Sequence, residues 1–321
     1  MRKPLAFRPY ALTAVSLLSV VATPGQVLFQ DTFDATPVGN WTVNAQTSQD
    51  QAIIGFDYST VGIPAAPNSG GTTSGLLLQA NRPVGAGSLS GVSVSPVGQS
   101  FTGDYQLRYD LWQNYNGPLG PTTVGGTGST QLTGSGIMTS GNVAHFAGSG
   151  DGLWFAASGD GGTTSDYRVY YQGINQTTAS LYAAGSQNST ATYYSVFGGN
   201  TAPDAQVTAF PSQTGTTPAG ALGFEWHDVT ITKIGDIVTW DIDGVRIATV
   251  DLTATGVTFA GNNILFAHTD INATQTTAAG DPMLFGLIDN VRVTVVPEPS
   301  TYALLGLAGA ALLAHRRLRK S

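Results

Sequence analysis

The chain has 321 residues, of which 13 are basic and 20 are acidic, and it contains no cysteine. Seven of the basic residues lie among the first eight and the last six residues, so residues 26–295 hold six basic and 19 acidic residues, a net charge of −13. That charge excludes nucleic acid and an anionic membrane surface as partners of this segment. The lack of cysteine excludes disulfides, thiolate metal sites and cysteine nucleophiles, so a hydrophobic core must hold the segment together.

The N-terminus has the pattern of a secretory signal peptide. A basic start is followed by an apolar stretch over residues 11–22, which ends in Val-Val-Ala. This order predicts a signal helix within residues 1–25 that is removed on export, and it is too short for a structural membrane helix. We expect cleavage after Ala22, with Gly25 as the alternative. The basic residues of the start are Arg2, Lys3 and Arg8.

Residues 26–295 have the composition of an all-β domain. They contain a single lysine, Lys233, and a single glutamate, Glu225, whereas Gly, Ser, Thr, Ala, Asn and Gln are abundant. Charged helix formers are therefore nearly absent, and runs rich in Val, Ile, Thr, Tyr and Phe are separated by Gly and Asn. Sandwiches of this length commonly form one domain. We predict a single β-sandwich domain over residues 26–295.

Strands are predicted where apolar and polar residues alternate. The last of them, residues 283–296, shows the clearest pattern, because valines at every second position from Val291 to Val295 are separated by polar residues. This is typical of a half-buried antiparallel strand. Other predicted strands cover residues 27–33, 101–112 and 167–171. Segments rich in Gly, Ser, Thr and Asn predict long loops at residues 68–74, 117–136 and 185–192.

Residues 226–250 predict a three-stranded meander. Two alternating runs are joined by Gly235-Asp236, and a third run follows Asp243-Gly244. An Asp-Gly pair between alternating runs is a strong hairpin signal, because a two-residue type I′ turn needs a positive φ at both positions. Three neighbouring antiparallel strands are therefore expected at this point of the sandwich.

The C-terminal tail, residues 296–321, has three parts. The motif Val296-Pro297-Glu298-Pro299 is followed by an uncharged apolar segment over residues 301–314 and then by a basic end. As a helix, the apolar segment would span about 20 Å of a hydrocarbon core of about 30 Å, which suits a transient insertion better than a permanent anchor. A plain single-pass transmembrane helix is the alternative. The basic residues, which stay on the cytoplasmic side, are Arg316, Arg317, Arg319 and Lys320.

This tail resembles the PEP-CTERM sorting signal of Gram-negative bacteria. The resemblance implies that an exosortase, a membrane-embedded cysteine transpeptidase, recognises and cuts the tail. It also implies transient insertion into the inner membrane, followed by delivery to the cell surface or the extracellular matrix. A signal peptide and a sorting tail support each other, because such a tail acts only on an exported protein.

The body resembles the concanavalin A-like, or laminin-G-like, jelly roll. The resemblance rests on an opening strand that ends in Asp31-Thr-Phe-Asp34, on the Trp226-His-Asp-Val meander with its Asp243-Gly244 turn, and on the closing segment Phe285-Gly-Leu-Ile-Asp-Asn-Val-Arg-Val. It implies that the closing strand lies beside the first. Residues 151–155, Asp-Gly-Leu-Trp-Phe, are also similar to a segment of one subgroup of PEP-CTERM proteins. The fold implies carbohydrate binding for many relatives but does not by itself assign a function.

No catalytic residue is predicted. A glycosidase needs two carboxyl groups that flank the scissile bond, yet Glu225 is the only glutamate of the body, and the Glu-x-Asp-x-x-Glu strand motif of laminarinase-like enzymes is absent. Asp241 and Asp243 lie two positions apart on one face, but the hairpin turn explains them. A hydrolase with an unusual aspartate pair is the third possibility, and it needs two carboxyl groups about 5 to 9.5 Å apart across a cleft.

The histidines of the body predict no site either. His145, His227 and His268 lack the His-x-x-x-His spacing of a metal site. No Gly-x-Ser-x-Gly nucleophile elbow accompanies them. For His227, at the start of a predicted strand, a surface or capping role is the simpler interpretation.

Calcium is the metal that the composition favours, because an exported chain rich in Asp and Asn offers hard oxygen ligands. Several laminin-G-like relatives hold calcium in loops at one rim. The predicted ligands are Asp151, Asp160 and Asp270, with Asp166 and Asp281 as further candidates. No segment matches an Asp-x-Asp-x-Asp-Gly loop, and ordinary turn chemistry is the alternative explanation of the Asp-Gly pairs.

Glycan binding would use aromatic rings stacked on sugar rings, with Asn and Asp side chains fixing the hydroxyls. The predicted stacking residues are Trp112, Trp154 and Tyr171, and Tyr115, Tyr170, Tyr193 and Tyr194 are also available. Packing in the core or in loops is the alternative explanation of each ring.

The sequence therefore predicts an exported, non-catalytic protein of the cell surface or extracellular matrix, with a structural or adhesive role in an exopolysaccharide or biofilm matrix. The alternative is a calcium-dependent, lectin-like carbohydrate-binding module. The predicted partners are an exosortase during processing and extracellular polysaccharide afterwards.

Overall fold

The computed structural model describes residues 25–35, 37–82, 89–116, 131–272 and 278–296. In these ranges the chain forms fifteen strands: β1 (Val27–Asp31), β2 (Trp41–Ala45), β3 (Gln51–Asp57), β4 (Ser74–Gln79), β5 (Ser90–Pro96), β6 (Tyr105–Asn114), β7 (Gln131–Thr139), β8 (Leu153–Ser158), β9 (Tyr167–Tyr171), β10 (Ile174–Gln176), β11 (Trp226–Ile234), β12 (Ile237–Ile242), β13 (Val245–Asp251), β14 (Asn263–Asp270) and β15 (Phe285–Val295). The helical segments are α1 (Asp204–Ala209) and single 3₁₀ turns at Val38–Asn40, Tyr58–Val61, Ala179–Leu181, Thr192–Tyr194, Leu252–Ala254 and Asp281–Met283.

The strands build two antiparallel sheets that pack as a sandwich. The front sheet has the order β13-β12-β11-β6-β15-β4-β3, and the back sheet has the order β10-β9-β8-β7-β14-β5-β2. β15 lies at the centre of the front sheet, where it pairs with β6 on one side and with both β4 and β1 on the other. The predicted all-β sandwich is confirmed.

The main core lies between the sheets, because alternate residues of each strand face inward. From β6 it takes Tyr105, Leu107, Tyr109 and Leu111, and from β15 Ile288, Val291 and Val293. Two smaller clusters form on the outer faces. The front-face cluster includes Tyr58, Leu77, Trp112 and Leu287, and the back-face cluster includes Leu132, Trp154, Tyr170 and Leu265. Both sheets are therefore partly buried on their outer sides as well.

The predicted meander and the predicted neighbour of the first strand are confirmed. β11, β12 and β13 pair in chain order. The turn between the last two has φ values of 50° at Asp243 and 74° at Gly244, as a type I′ turn requires. β15 also pairs with β1, with Asp31 opposite Val291.

The predicted loop over residues 117–136 is wrong for residues 131–136, which form the first part of β7. Glycine in this strand marks a close approach of backbones and not a loop. A Cβ atom at Gly134 would overlap the carbonyl oxygen of Phe155 on the neighbouring strand, and one at Gly136 would crowd Leu153 and Trp154. The strand bounds also shift, since β1 ends at Asp31 and β6 starts at Tyr105.

Candidate functional site

A polar cleft of about 330 Å³ opens on the outer face of the front sheet. Its lining comes from β1, β6, β15 and the segment that follows β3. The lining residues are Gln30, Thr32, Asn68, Arg108, Tyr109, Asp110, Asn290, Val291 and Arg292. Converging polar side chains in a cavity of this size make it the candidate binding site of the described residues.

Strand register arranges the charged residues of this face in two rows. The acidic row runs across β11, β6 and β15 as Asp228, Asp110 and Asp289. The second row places Arg108 of β6 directly opposite Arg292 of β15. Residues directly opposite each other on neighbouring antiparallel strands have Cβ atoms about 4.5–5.5 Å apart. An acidic row thus runs beside an arginine pair.

A β-bulge in β15 makes this arrangement possible. Ile288 and Val291 both face the main core although they are three positions apart, whereas a regular strand would turn them to opposite sides. The extra residue is Asn290, whose φ is 53°, and the register shifts between Asp289 and Arg292. The bulge therefore puts Asp289 and Arg292 on the same outer face.

Asp110 forms the floor of the cleft, and two asparagines hold it. Its carboxylate accepts hydrogen bonds from Asn68 Nδ2 at 2.7 Å, from the backbone N of Asn68 at 3.2 Å and from Asn290 Nδ2 at 2.7 Å. Burial raises the pKa of Asp110, and these hydrogen bonds act against that rise. Within the described residues, the side-chain oxygens of both asparagines have no hydrogen-bond partner. They are available to accept from a ligand.

Asp289 lies deeper, beneath Tyr58, and is fully buried. Its Oδ2 atom is 3.0 Å from Tyr58 Oη, and the backbone N of Asn290 donates to its Oδ1 at 2.7 Å. Burial raises the pKa of Asp289 to about 7, with a further contribution from the charge of Asp110. Asp289 does not line the cleft, so its role here is in the packing beneath it.

Arg108 and Arg292 supply the positive charge of the cleft. Arg108 donates through Nε to Asp228 at 2.6 Å, and half of its side chain is exposed. Its terminal nitrogens form no hydrogen bond within the described residues. Arg292 is exposed, and its side chain forms neither an ion pair nor a hydrogen bond within the described residues. The cleft thus offers guanidinium donors that other side chains do not use.

The predicted stacking residues are buried. Trp112 is 2% exposed and packs in the front-face cluster with Tyr58. Trp154 is fully buried and stacks on Tyr170, with ring centroids 4.2 Å apart. Tyr171 is 8% exposed and belongs to the main core. A sugar cannot reach the face of a buried ring, so these three residues form no stacking platform. Trp112 and Trp154 are buried in the clusters on the outer faces of the two sheets, whereas Tyr171 is buried between the sheets.

The predicted calcium ligands belong to separate hydrogen-bond networks. Asp151 accepts from Thr139 Oγ1 at 2.6 Å, and the fully buried Asp270 accepts from Asn81 Nδ2 at 2.9 Å. Burial raises the pKa of Asp160 to about 6. Across the described ranges, no group of three or more His, Cys, Asp or Glu side chains is arranged to hold a metal ion.

The further calcium candidates are also engaged locally. Asp166 is buried and accepts from Ser158 Oγ and from the backbone N of Ser189, both at 2.9 Å. Asp281 forms an ion pair with Arg82 at 2.8 Å. Asp166 thus connects its loop to the end of β8 and to the loop at Ser189, and the ion pair connects the 3₁₀ turn at Asp281 to the segment after β4.

The two aspartates of the hairpin have separate partners within the fold. Asp241 pairs with Arg246 at 2.6 Å, whereas Asp243 lies 2.7 Å from Nδ1 of His227. The other ring nitrogen of His227 is 3.0 Å from the carbonyl oxygen of Leu222. Both carboxylates and the imidazole are thus used within the fold.

The other two histidines are buried as well. His268 contacts Thr133 Oγ1 at 2.8 Å and Gln131 Oε1 at 2.6 Å, and burial lowers its pKa to about 3. His145 contacts the carbonyl oxygen of Val143 through Nδ1 at 2.8 Å. Neither ring lines the cleft.

The predicted targeting residues lie almost entirely outside the described residues. These are Ala22, Pro297, Glu298, Pro299, Arg316, Arg317, Arg319 and Lys320. Val296 is the last described residue before the tail, and its backbone N donates to the carbonyl oxygen of Asp104 at 3.1 Å. The ranges that the structure describes hold no helix with the length and apolar character to span a membrane.

Sequence reasoning missed the residues of the cleft. Alternation along the predicted strand at 101–112 places Arg108 and Asp110 on one face, and this was the available signal. The opposing residues lie on β15, far away in the chain, and the bulge at Asn290 changes which of them face outward. Neither the strand pairing nor the bulge is visible in the sequence.

Comparison with protein-family models identifies the tail. Residues 295–320 match the PEP-CTERM protein-sorting motif. The chain carries this sorting motif. The predicted resemblance of the tail is confirmed, and the motif indicates an exported protein. The matched residues cover the tail alone and assign no family to residues 26–294.

Solved structures with a similar arrangement of strands share little sequence with the chain. A protein of unknown function with a galectin-like fold from Bacillus subtilis is 11% identical, with 85% of this chain and 97% of that chain covered and a TM-score of 0.40. A glycoside hydrolase family 16 endo-glucanase from Bacteroides ovatus is 13% identical, with coverage of 83% and 100% and a TM-score of 0.43. A β-glucanase from Bacillus licheniformis is 10% identical, with coverage of 85% and 99% and a TM-score of 0.41. No curated protein sequence matches the chain. At these identities and TM-scores, the similarity does not assign an activity or a ligand to this chain.

Proposed function

We propose that the protein is an exported, non-catalytic component of the cell surface or of an extracellular polysaccharide matrix, with a structural or adhesive role. The sorting motif at residues 295–320 carries this proposal, because it directs an exported protein to an exosortase. The tail inserts transiently in the inner membrane, is cut, and leaves the sandwich at the surface or in the matrix.

The composition of the cleft supports binding over hydrolysis. Glycoside hydrolysis needs two carboxyl groups, one on each side of the bond that is cut. Among the described residues that line the cleft, Asp110 is the one carboxyl group. Asp289 is enclosed beneath Tyr58 and does not face the cavity. Free asparagine oxygens and arginine donors suit the hydroxyl groups of a glycan, and they provide adhesion without chemistry.

The sorting step is tested by replacing Pro297, Glu298 and Pro299 together with alanine. We expect the variant to be exported, since its signal peptide is intact, but to stay uncut in the inner membrane. Cell fractionation and the mass of the protein in each fraction measure the outcome. Replacing Ser300 and Thr301 with alanine gives a matched control beside the motif, which should be processed as the wild type is. Release of the triple variant at the wild-type level and mass would contradict the sorting proposal.

A glycan-array screen of the purified protein, run with calcium and with EDTA, distinguishes the calcium-dependent lectin alternative from the proposed metal-free adhesion. Selective binding that EDTA abolishes would establish the alternative and make the loop aspartates its ligands. Binding that survives EDTA would support adhesion through a metal-free site such as the cleft.

A further inference from the structure

The cleft contains a pair of arginines, Arg108 and Arg292. Binding of a neutral glycan does not explain why two positive charges lie side by side there. Residues 26–295 contain only six basic residues, and two of them, Arg108 and Arg292, lie directly opposite each other on neighbouring strands. Like charges in this position repel and weaken the pairing of the strands. An anion held between the two guanidinium groups would remove that repulsion.

The chain itself supplies only part of the compensating charge. Asp228 engages Arg108 through Nε alone, which leaves the terminal nitrogens of that guanidinium without a partner in the described residues. Asp110 is nearby, but its carboxylate already accepts three hydrogen bonds from Asn68 and Asn290. Arg292 has no carboxylate partner among the described residues. The guanidinium groups of the cleft can therefore donate to one further negatively charged acceptor group.

We propose that the cleft binds the carboxylate of a sugar acid, a uronate residue within an acidic polysaccharide. The carboxylate lies between the guanidinium of Arg292 and the terminal nitrogens of Arg108, since the planar fork of arginine matches a carboxylate with two parallel hydrogen bonds. The hydroxyl groups of the sugar donate to the free side-chain oxygens of Asn68 and Asn290. This inference rests on the proposed function, because it names the ligand class of the adhesive contact.

The neutral side chains of the cleft favour a sugar acid over a simple anion. Sulfate would satisfy the arginines but would bring no hydroxyl donor for the two asparagine oxygens, and hydrogen phosphate brings at most two, both on the anionic group itself. Gln30 and Thr32 add further donors and acceptors to the lining. A cavity of about 330 Å³ lies at the lower end of the range for small-ligand sites, so it suits one or two sugar rings.

The charge of the whole body makes a test of this site selective. At −13, residues 26–295 repel a polyanion, so diffuse attraction cannot produce binding. The full chain also carries seven basic residues at its two ends, so binding is assigned to the arginine pair only where Arg292→Gln loses it, and unchanged affinity of that variant would overturn the inference.

The test uses the full chain, purified in mild detergent, and three soluble polymers: polygalacturonate, the same polymer with its carboxyl groups reduced to alcohols, and neutral dextran. Affinity electrophoresis and calorimetry measure binding. We expect binding of polygalacturonate, and a loss of tenfold or more in affinity on carboxyl reduction, as removal of a charge-assisted hydrogen bond of about 1.5–3 kcal/mol implies.

Variants locate the interaction. Arg292→Gln should lower the affinity for polygalacturonate about tenfold or more, and Arg292→Lys should have a smaller effect, since it keeps the charge but loses the fork. Arg246→Gln is the matched control, because Arg246 pairs with a carboxylate at 2.6 Å on another part of the front sheet and does not line the cleft. It should bind as the wild type does. Thermal unfolding of each variant checks that it is folded.

Three further outcomes would overturn the inference. Equal binding of the native and the carboxyl-reduced polymer would show that the cleft does not recognise the carboxylate. The proposed adhesion to glycans would still stand in that case. An equal loss for Arg246→Gln and Arg292→Gln would show a general effect of charge. Absence of binding to all three polymers would remove the assigned ligand, whereas surface delivery is decided separately by the processing of the triple alanine variant.

Discussion

At the scale of single residues, the contacts at the buried end of the acidic row favour a protonated Asp289. Tyr58 Oη accepts from the backbone N of Ala66 at 3.1 Å and lies 3.1 Å from the carbonyl oxygen of Thr72 and 3.0 Å from Asp289 Oδ2. One hydroxyl proton can serve both acceptors only through a weaker, bifurcated hydrogen bond. A proton on Asp289 satisfies all three contacts, because the carboxylic acid then donates to Tyr58 while Tyr58 donates to Thr72. The raised pKa of Asp289, about 7, agrees with this state.

We therefore predict that Asp289→Asn changes the pH dependence of stability. The pKa of an aspartate in the unfolded chain is about 3.9, and in the fold that of Asp289 is about 7. Between these values the folded state holds a proton that the unfolded state has lost, so the contribution of Asp289 to the free energy of unfolding falls as pH rises, by up to about 1.4 kcal/mol per pH unit. Asparagine removes this contribution. Urea unfolding from pH 4 to 8 should give the variant a more positive slope than the wild type.

Asp251→Asn is a suitable control for that experiment. Asp251 is exposed, and hydrogen bonds from the Thr253 side chain and backbone lower its pKa, so it titrates below the window in which Asp289 acts. Its replacement should leave the slope above pH 5 unchanged. Parallel curves for the wild type and Asp289→Asn would contradict the protonated state of Asp289.

At the scale of strands, β7 lies so close to the neighbouring backbone that glycine is required at some of its positions. A Cβ atom at Gly134 would overlap the carbonyl oxygen of Phe155. We predict that Gly134→Ala lowers the free energy of unfolding by about 1–3 kcal/mol, as overpacking of a rigid site does. Gly39→Ala is the matched control, because no atom lies within 4 Å of the position that its methyl group would occupy and its backbone is not left-handed. It should change stability by less than about 0.5 kcal/mol. Chemical unfolding of the two variants decides the point, and equal stability would mean that β7 is not paired as described.

The same strand explains where sequence reasoning about elements succeeds and where it fails. The meander was predictable because its evidence is local: alternation along each strand and an Asp-Gly pair with positive φ at the turn. β7 was not, because glycine in a strand resembles glycine in a loop until the neighbouring strand is known. The cleft depends on two non-local facts, the pairing of Asp110 with Asp289 and the bulge at Asn290. The burial of Trp112 likewise depends on a loop that crosses the outer face, which no local pattern specifies.

At the scale of the whole molecule, the sorting motif and the candidate binding site lie in different parts of the chain, the motif in the tail and the site in the body. The tail carries a linear sorting motif, so the motif could be predicted from residues 296–320 without any structure, and the family match confirms it. The candidate cleft of the body, by contrast, is a surface that exists only after folding. The fold class of the body follows from composition and alternation, whereas its candidate ligand requires the register of the front sheet.

This division predicts that the body folds without the tail. β15 ends at Val295, whose backbone N donates to the carbonyl oxygen of Gln26 at 2.8 Å, and Val296 makes one further backbone hydrogen bond to Asp104 at 3.1 Å. A chain of residues 26–296 keeps both bonds, so its free energy of unfolding should match that of the full chain within about 0.5 kcal/mol. A chain that ends at residue 290 loses the second half of β15, with the core residues Val291 and Val293 and the pairing with β1, and it should not fold.

Thermal unfolding followed by circular dichroism compares the two truncations, with solubility as a second readout. A cooperative transition for residues 26–296 and none for the shorter chain would place the end of the domain at the end of β15, so that an exosortase could remove the tail without disturbing the fold. Aggregation of residues 26–296 would mean that residues beyond Val296 cover part of the sandwich. In that case cutting the tail would also expose apolar surface, and the released body would need a partner at the cell surface to bury it.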